Sequence, residues 1–337
     1  MKVAVTGPTG EIGKPFIRAL EKAKEVTKIV GMARRPFDPA AHGWKKTEYV
    51  QGDITKPADV AELVKGADVV VHLAFIVLGA SESTRDINLE GSRNVFQAAV
   101  DAKVKRLVYT SSVAAYGFHS DNPEVLTEDV QPRGTDTFPY SAQKAELEGA
   151  LEDILRDSAT EAYVFRPVIV AGPDAKMLVE AMPYIRIGEK LPGAVRALFD
   201  MVPILKPVLP DPGIPFQLVH HDDVATALRA AVLGRGTPGI YNLAAEDTIT
   251  FTDLANELGW YAIPIPELAV DATAEIVARL PFVPAEARWV EAGRQPVLLD
   301  CAKARRELRW RVQHSSKETL HDVVAAARAD LEAGVAD

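Results

Sequence analysis

The sequence predicts an α/β protein: a doubly wound parallel sheet followed by a smaller, mostly helical carboxy-terminal region. Three observations carry this. The chain opens on a strand that turns on glycines into a helix. Short apolar, β-branched runs then alternate with helical patterns as far as Val170. Near Gly172 that alternation stops, and a proline-rich segment begins.

The opening stretch is Lys2 to Gly13, KVAVTGPTGEIG. Val3, Ala4, Val5 and Thr6 read as a buried strand, and Phe16, Ile17 and Leu20 recur at helical spacing beyond the turn. A strand that turns on Gly7, Gly10 and Gly13 into a helix presents free backbone N–H groups and the positive end of a helix dipole. Thr9, Glu11 and Ile12 lie inside the same turn. This is a cradle for a pyrophosphate, in which glycine allows a tight turn and close approach of the ligand. The spacing is G-x-x-G-x-x-G, and its position between a first strand and a first helix points to dinucleotide binding on a Rossmann-type fold.

The elements follow in order. Thr27–Met32 reads as a second buried strand and Tyr49–Asp53 as the end of a third, with a short helix over Ala58–Lys65. Ala67–Ala74 is a continuous apolar run, as expected of a parallel strand covered on both faces. Asp86–Ala102 carries Ile87, Leu89, Val95, Ala98 and Ala99 at helical spacing. Arg106–Ser112 is a fifth strand, Tyr140–Arg156 a second long helix and Ala162–Val170 a sixth strand. Phe216–Val224 and Gly239–Ala244 read as returning strands of the sheet. From Thr252 onward the pattern is mostly helical, interrupted at Pro264–Pro266 and Pro281–Pro284. The expected division is therefore 1–172 with 216–244 as the dinucleotide-binding domain, and 173–215 with 245–337 as the substrate-binding region.

Composition narrows the function. The chain has 337 residues, 47% hydrophobic and 25% charged, with a net charge of −9, and it has no basic cluster of the kind a nucleic-acid surface needs. The single cysteine, Cys301, cannot form an internal disulfide, which fits a reducing compartment. The amino terminus enters a strand without a basic-then-apolar leader, and no apolar run reaches the length of a membrane span. The expectation is a cytoplasmic protein acting on a small molecule, without nucleic-acid or membrane partners.

The strongest chemical constellation is Ser112, Tyr140 and Lys144. Tyr140 and Lys144 stand one helical turn apart on one face. A free phenol, with a pKa of about 10, is a poor acid–base group near neutrality. A neighbouring ammonium and a positively charged nicotinamide would favour the phenolate and lower that value. Tyr140 would then exchange a proton with a substrate oxygen while the nicotinamide exchanges a hydride. Ser112, at the carboxyl end of its strand, would hold the same oxygen.

These motifs resemble the extended short-chain dehydrogenase/reductase family, the NAD-dependent epimerase/dehydratase group. The resemblance runs through VTGPTGEIG, GDI, VHLA, INLEGSRNV, LVYTSSVAAYG, YSAQK, FRPVIVAGP and VHHDDVA, and returns weakly in LLDCAKARRELRW. It implies that Gly7, Gly10, Ile12 and Gly13 hold the pyrophosphate, that Asp53 and Ile54 flank the adenine, and that Leu73 and Ala74 line the cofactor trough. It further implies that Lys144 binds the nicotinamide ribose, that Asn88 supports the active-site helix, and that Pro167, Val168 and Ile169 border the nicotinamide. A homodimer through the helices at 86–102 and 140–156 is also implied.

The departures from the family pattern refine the expectation. Where an NAD-binding member usually places an acidic residue at the end of its second strand, this chain reads Met32-Ala33-Arg34-Arg35. A guanidinium suits a 2′-phosphate, which favours NADP over NAD; solvated arginines, with Asp38 reaching a ribose, are the alternative. Val113, Ala114 and Ala115 stand where sugar-nucleotide dehydratases carry acids, and Ile169 stands where many sugar-nucleotide epimerases carry Asn. Pro173–Pro215 is apolar, as core or as the wall of an apolar pocket. His220-His221-Asp222-Asp223 has the composition of a metal cluster, but the alternation of a strand and the family resemblance assign it a structural role, and no metal is expected. Trp289, Trp310 and Phe282 read as packing residues.

The expected function is hydride transfer between a nicotinamide cofactor and a largely apolar secondary alcohol or ketone. The alternatives are an NAD-dependent sugar-nucleotide epimerase and a non-catalytic dinucleotide sensor.

Overall fold

The computed structural model describes residues 1–77, 82–180, 208–264 and 296–333. Its centre is a sheet of seven parallel strands. They are β1 (Lys2–Thr6), β2 (Lys28–Ala33), β3 (Thr47–Gln51), β4 (Val69–His72), β5 (Arg106–Thr110), β6 (Glu161–Pro167) and β7 (Gly239–Leu243). Their spatial order is β7-β6-β5-β4-β1-β2-β3. Val3 aligns with Ile29 on one side and Val69 on the other, so β1 is central. The order reverses at β1, and in such sheets ligands sit beyond the carboxyl ends of the strands at that point.

Helices cover both faces, as the continuous apolar strands require. On one face lie α2 (Pro57–Val64), α3 (Glu82–Asp101) and α4 (Pro139–Leu155). Leu63, Leu89, Phe96, Leu147 and Leu151 from these helices pack with Ala4, Val30, Val70 and Leu107 of the sheet. Elsewhere α1 (Gly13–Glu21) packs against α5 (His221–Val232), and Phe16, Ile17 and Leu20 are fully buried.

The chain divides into two compact units. The first comprises Met1–Val168, His221–Ala244 and Leu299–Arg311, and the second Ile169–His220, Ala245–Leu298 and Val312–Asp337. Leu299–Arg311, expected with the carboxy-terminal region, therefore falls in the first unit, where Trp310 Nε1 donates to the Asp223 carbonyl at 2.9 Å. The second unit has its own core of Ala171, Leu218, Ile249, Leu254, Leu320, Val323 and Val324.

Three expected elements differ in the structure. Phe216–Val224 is not a strand of the central sheet: only Leu218–His220 is extended, paired with Ile169–Ala171, and His221 opens α5. Asp222 and Asp223 occupy the first turn of that helix, where carboxylates complement its dipole, and Val224, Leu228 and Ala231 recur on its buried side. The strand read over Ala162–Val170 ends in the sheet at Pro167, and Ile169–Ala171 belongs to the separate pair. The region after Thr252 is not uniformly helical. The helix Phe251–Leu258 stops at Gly259, which is left-handed at φ 75°, and Tyr261–Pro264 is a strand parallel to Val208–Asp211. Phe282, Trp289 and Pro281–Pro284 lie outside the described residues, as does the proline-rich stretch 181–207.

Candidate active site

The glycine turn after β1 shows which glycines the chain itself demands. Gly7 has φ +70°, and a Cβ there would lie 2.8 Å from the Ala74 amide nitrogen; a Cβ at Gly13 would lie 2.2 Å from the Gly7 carbonyl oxygen. Neither position admits a larger residue. A Cβ at Gly10 would meet only that carbonyl oxygen, at 3.6 Å, an ordinary contact. Internal packing does not call for glycine at position 10; a group approaching the backbone from outside would. Ile12, at the start of α1, gives the helix no side-chain cap, so the turn offers main-chain donors at a positive helix end. The donor set fits a pyrophosphate.

The trough beside this turn is fixed by Thr6. Its Oγ1 accepts from the Leu73 and Ala74 amides, each at 3.3 Å, and bonds His72 Nδ1 at 2.7 Å. Two accepted bonds leave the Thr6 hydroxyl to donate to Nδ1, so His72 carries its proton on Nε2, which lies 2.9 Å from Ser92 Oγ. Burial, with Lys144 nearby, pushes the His72 pKa down to about 3. The backbone of Leu73 and Ala74 is thereby held against Gly7.

At the far end of this groove Arg34 and Arg35 are exposed. The Arg34 carbonyl accepts from Gln51 Nε2 at 2.8 Å, and the Tyr49 hydroxyl is shared between the Arg35 carbonyl and, at 3.0 Å, the Ala33 carbonyl. The loop that carries both guanidiniums is thus clamped by β3. Asp38 Oδ1 accepts from the Ala40 amide at 2.9 Å. Asp53 Oδ1 accepts from the Thr55 amide and hydroxyl at 2.9 Å, and these bonds, with Arg34 among the smaller influences, lower its pKa. Ile54 is buried in the core.

Ser112, Tyr140 and Lys144 all belong to the first unit. Ser112 follows the carboxyl end of β5, and its Oγ accepts from the Ala114 amide at 3.1 Å, opening a single 3-10 turn over Val113–Tyr116. Tyr140 and Lys144 lie on α4, which begins at Pro139, a residue suited to a first helical position. Ser141 Oγ donates to the Ala114 carbonyl at 2.6 Å, joining α4 to the Ser112 turn. The Ser112 hydroxyl acts on Tyr140 in the direction that lowers its pKa.

The electrostatics differ from the sequence expectation in one respect. Burial dominates at Tyr140 and pushes its pKa up to about 12, with the Ser112 hydroxyl opposing it. In the unliganded protein burial outweighs any lowering by Lys144. Its Nζ donates to the Thr110 carbonyl at 3.0 Å and the Tyr109 hydroxyl at 3.4 Å, and lies 3.8 Å from the centre of the Phe75 ring. Burial holds Lys144 down to about 7, with Glu148 opposing. The apolar rings that surround both groups, Phe75 at 5.6 Å and Phe138 at 5.8 Å from Tyr140, explain why each favours its neutral form.

Asn88 sits under this site with both polar atoms engaged. Its Nδ2 donates to Gln143 Oε1 at 2.9 Å and to the Ile76 carbonyl, and its Oδ1 accepts from the Ile76 amide. Through the Gln143 bond it braces α4 from α3. Pro167 and Val168 close the first unit beside Leu243, whose carbonyl accepts from the Val168 amide. Ile169 opens the second unit.

Sequence reasoning missed His72, Phe75, Tyr109 and Glu148 as parts of the site. Glu148 carried a signal: it stands four residues after Lys144, on the same helical face, and a strand arginine at position 166 needs a buried carboxylate. His220 and His221 fall in different units. His220 stacks on His314 with ring centres 3.9 Å apart, and His221 Nδ1 lies 3.1 Å from Asp222.

The profile of the NAD dependent epimerase/dehydratase family matches residues 3–244. The chain belongs to this family. Among curated relatives of this epimerase/dehydratase family member is the 2-alkyl-3-oxoalkanoate reductase of Shewanella oneidensis, 31% identical over 59% of the chain. Another is sterol demethylase protein B of Methylococcus capsulatus, 29% identical over 51% of the chain. In both, the alignment spans 52% of the relative's own length. The UDP-glucuronic acid 4-epimerase of Bacillus cereus, solved with NAD, matches 98% of the chain and 99% of its own at a TM-score of 0.72 and 17% identity. That likeness shows the shared fold. Among the described residues, no helix is long and apolar enough to cross a membrane.

Proposed function

We propose that this chain is an NAD(P)-dependent oxidoreductase that transfers a hydride between the cofactor and a largely apolar secondary alcohol or ketone. The observation that carries the reading is the assembly of Ser112, Tyr140 and Lys144 on two elements joined by the Ser141–Ala114 bond. A bound nicotinamide dinucleotide would supply the hydride acceptor or donor. Tyr140 gives or takes the proton of the substrate oxygen, Ser112 holds that oxygen by hydrogen bond, and Lys144 provides the positive charge that a phenolate requires. Gly7, Gly10 and Gly13 would hold the pyrophosphate, and Leu73 and Ala74 would line the trough.

Two observations support an apolar substrate. Phe75 and Phe138 stand against Tyr140, with Phe118 5.8 Å from Phe138. The names of two relatives, an alkyl-oxoalkanoate reductase and a sterol demethylase protein, point the same way. The preference for NADP rests on Arg34 and Arg35 alone, since the ligand named in the Bacillus cereus structure is NAD. We also propose a homodimer through α3 and α4, testable by light scattering of the purified protein.

The likeness to a UDP-glucuronic acid 4-epimerase favours a second reading, in which bound NAD oxidises and re-reduces one sugar nucleotide. The two readings separate in one experiment. The protein is incubated with NADPH or NADH and a panel of apolar ketones and aldehydes, followed by absorbance, beside UDP- and GDP-sugars followed by isomer analysis. Stoichiometric cofactor oxidation with a ketone supports the first reading. Sugar inversion without net cofactor loss replaces it with the second.

A further inference from the structure

Beneath the candidate site lies a buried ion pair that the proposed chemistry does not itself use. Glu148 stands one helical turn after Lys144 on α4, and Arg166 stands on β6; Arg166 is fully buried and Glu148 nearly so. Arg166 Nη2 donates to Glu148 Oε2 at 2.5 Å, and Arg166 Nε donates to both carboxylate oxygens, at 3.0 and 3.2 Å. Ser111 Oγ donates to Glu148 Oε1 at 2.5 Å. The guanidinium carbon of Arg166 lies 4.3 Å from the centre of the Tyr116 ring. The Tyr116 hydroxyl in turn is shared between Asn242 Oδ1, at 2.8 Å, and the Thr127 carbonyl.

A pair of this kind is weak evidence of stabilisation, because desolvating both charges offsets much of their attraction. Its connections point elsewhere. Ser111 and Tyr116 lie on either side of Ser112, one immediately before it and one at the end of its turn, and both rest on this pair. Lys144 lies one turn away on the helix that carries the carboxylate.

We propose that Glu148, clamped by Arg166, is the positioning residue of the site. Its carboxylate stands one helical turn from Lys144 and opposes the effect of burial on that ammonium, and through Ser111 and Tyr116 the pair fixes the Ser112 turn against the helix that bears Tyr140. This rests on the reading of Ser112, Tyr140 and Lys144 given above. The groups that face Lys144 are the Tyr109 hydroxyl and Thr110 carbonyl of β5, Phe75 after β4, His72 of β4, and Tyr140 and Glu148 of its own helix. Of these, Glu148 is the carboxylate, and it acts against the burial that favours the neutral amine.

The test follows Lys144 directly and needs no substrate, so its outcome stands apart from whether Tyr140 turns over a ketone. The full chain is labelled with 13Cε-lysine, the Lys144 resonance is assigned through Lys144→Arg, and its titration is followed by NMR. Glu148→Gln keeps the shape and removes the charge; the expected result is a downward shift of the Lys144 midpoint by about one pH unit or more. Glu148→Asp keeps the charge and retains most of the wild-type midpoint. Because Glu148→Gln leaves the buried Arg166 unpaired, the double variant Glu148→Gln/Arg166→Met removes both charges, and the midpoint falls there too. A midpoint that stays in place in either folded variant overturns the proposal. So does unfolding of both, which would make the pair an element of the fold alone.

Discussion

Ser141 Oγ donates to the carbonyl of Ala114 at 2.6 Å, and both groups are buried. The bond joins the first turn of α4 to the 3-10 turn opened by Ser112, so the strand-end hydroxyl and the helix phenol share one rigid connection. Ser141→Ala removes this bond while the Ala114 carbonyl keeps the Gly117 amide, which costs about 0.5–1.5 kcal/mol. The expected result is a lowered urea midpoint together with a larger loss of kcat than of cofactor affinity.

Tyr140→Phe removes only the phenolic oxygen. Turnover should fall to background while cofactor affinity stays close to wild type, and steady-state kinetics beside fluorescence titration check both. The unliganded protein should keep this phenol protonated until pH approaches about 12. Subtracting the ultraviolet titration of Tyr140→Phe from that of the wild type isolates its ionisation. A phenolate signal near neutrality in the free protein would contradict the burial seen here.

If Arg34 and Arg35 hold a 2′-phosphate, replacing both with alanine should weaken NADP binding by about 1.5–3 kcal/mol for each charged hydrogen bond lost. NAD binding should hardly change. Calorimetric titration of both cofactors gives the answer, and equal affinities for NADP and NAD in the unmutated protein would remove the arginine argument.

Gly13→Ala sets a methyl group 2.2 Å from the Gly7 carbonyl oxygen. Overpacking of this kind costs about 1–3 kcal/mol and should lower the urea midpoint. Gly10→Ala meets no such obstacle, with its nearest contact at 3.6 Å. It should leave stability within about 1 kcal/mol of wild type while weakening dinucleotide binding. The pair of variants separates a structural glycine from a ligand-facing one.

His72 supplies a pH dependence of defined sign. Its folded pKa of about 3 lies below the usual histidine value of 6.5, so between these values the unfolded chain binds the extra proton. Stability is therefore fully present above about pH 6.5 and is lost as pH falls toward 3, at up to about 1.4 kcal/mol per pH unit. His72→Asn should be less stable at pH 7, through its lost bonds to Thr6 and Ser92. Its denaturation free energy should also decline less steeply between pH 6 and pH 4.

The sheet was legible because its inner strands are apolar on both faces and its glycine turn has few alternatives. Phe216–Val224 misled because a three-residue strand runs directly into a helix, and an apolar run that short carries no periodicity of its own. Leu218, Val219 and His220 are extended, whereas Val224 and Leu228 repeat only along α5. At the candidate site, Ser112, Tyr140 and Lys144 declared themselves by type and spacing. Tyr109, Phe75 and His72 did not, since an aromatic or histidine in a buried strand reads as core until a neighbouring ammonium is placed beside it. The upward Tyr140 shift of the unliganded protein was not legible for a related reason: spacing fixes who is near, but desolvation depends on the rings that surround the group.

The division of the chain also bears on how it can be cut. The first unit is gathered from three segments, the last being Leu299–Arg311. A fragment that stops after Ala244 retains every strand of the central sheet, yet it discards Trp310, whose indole donates to the Asp223 carbonyl. It also loses Glu307, which accepts from the Tyr241 hydroxyl at 3.0 Å. The first unit is therefore not an amino-terminal fragment. Shuffling the second unit between relatives requires exchanging three stretches together, at junctions after Val168, Ala244 and Arg311, with returns at His221 and Leu299.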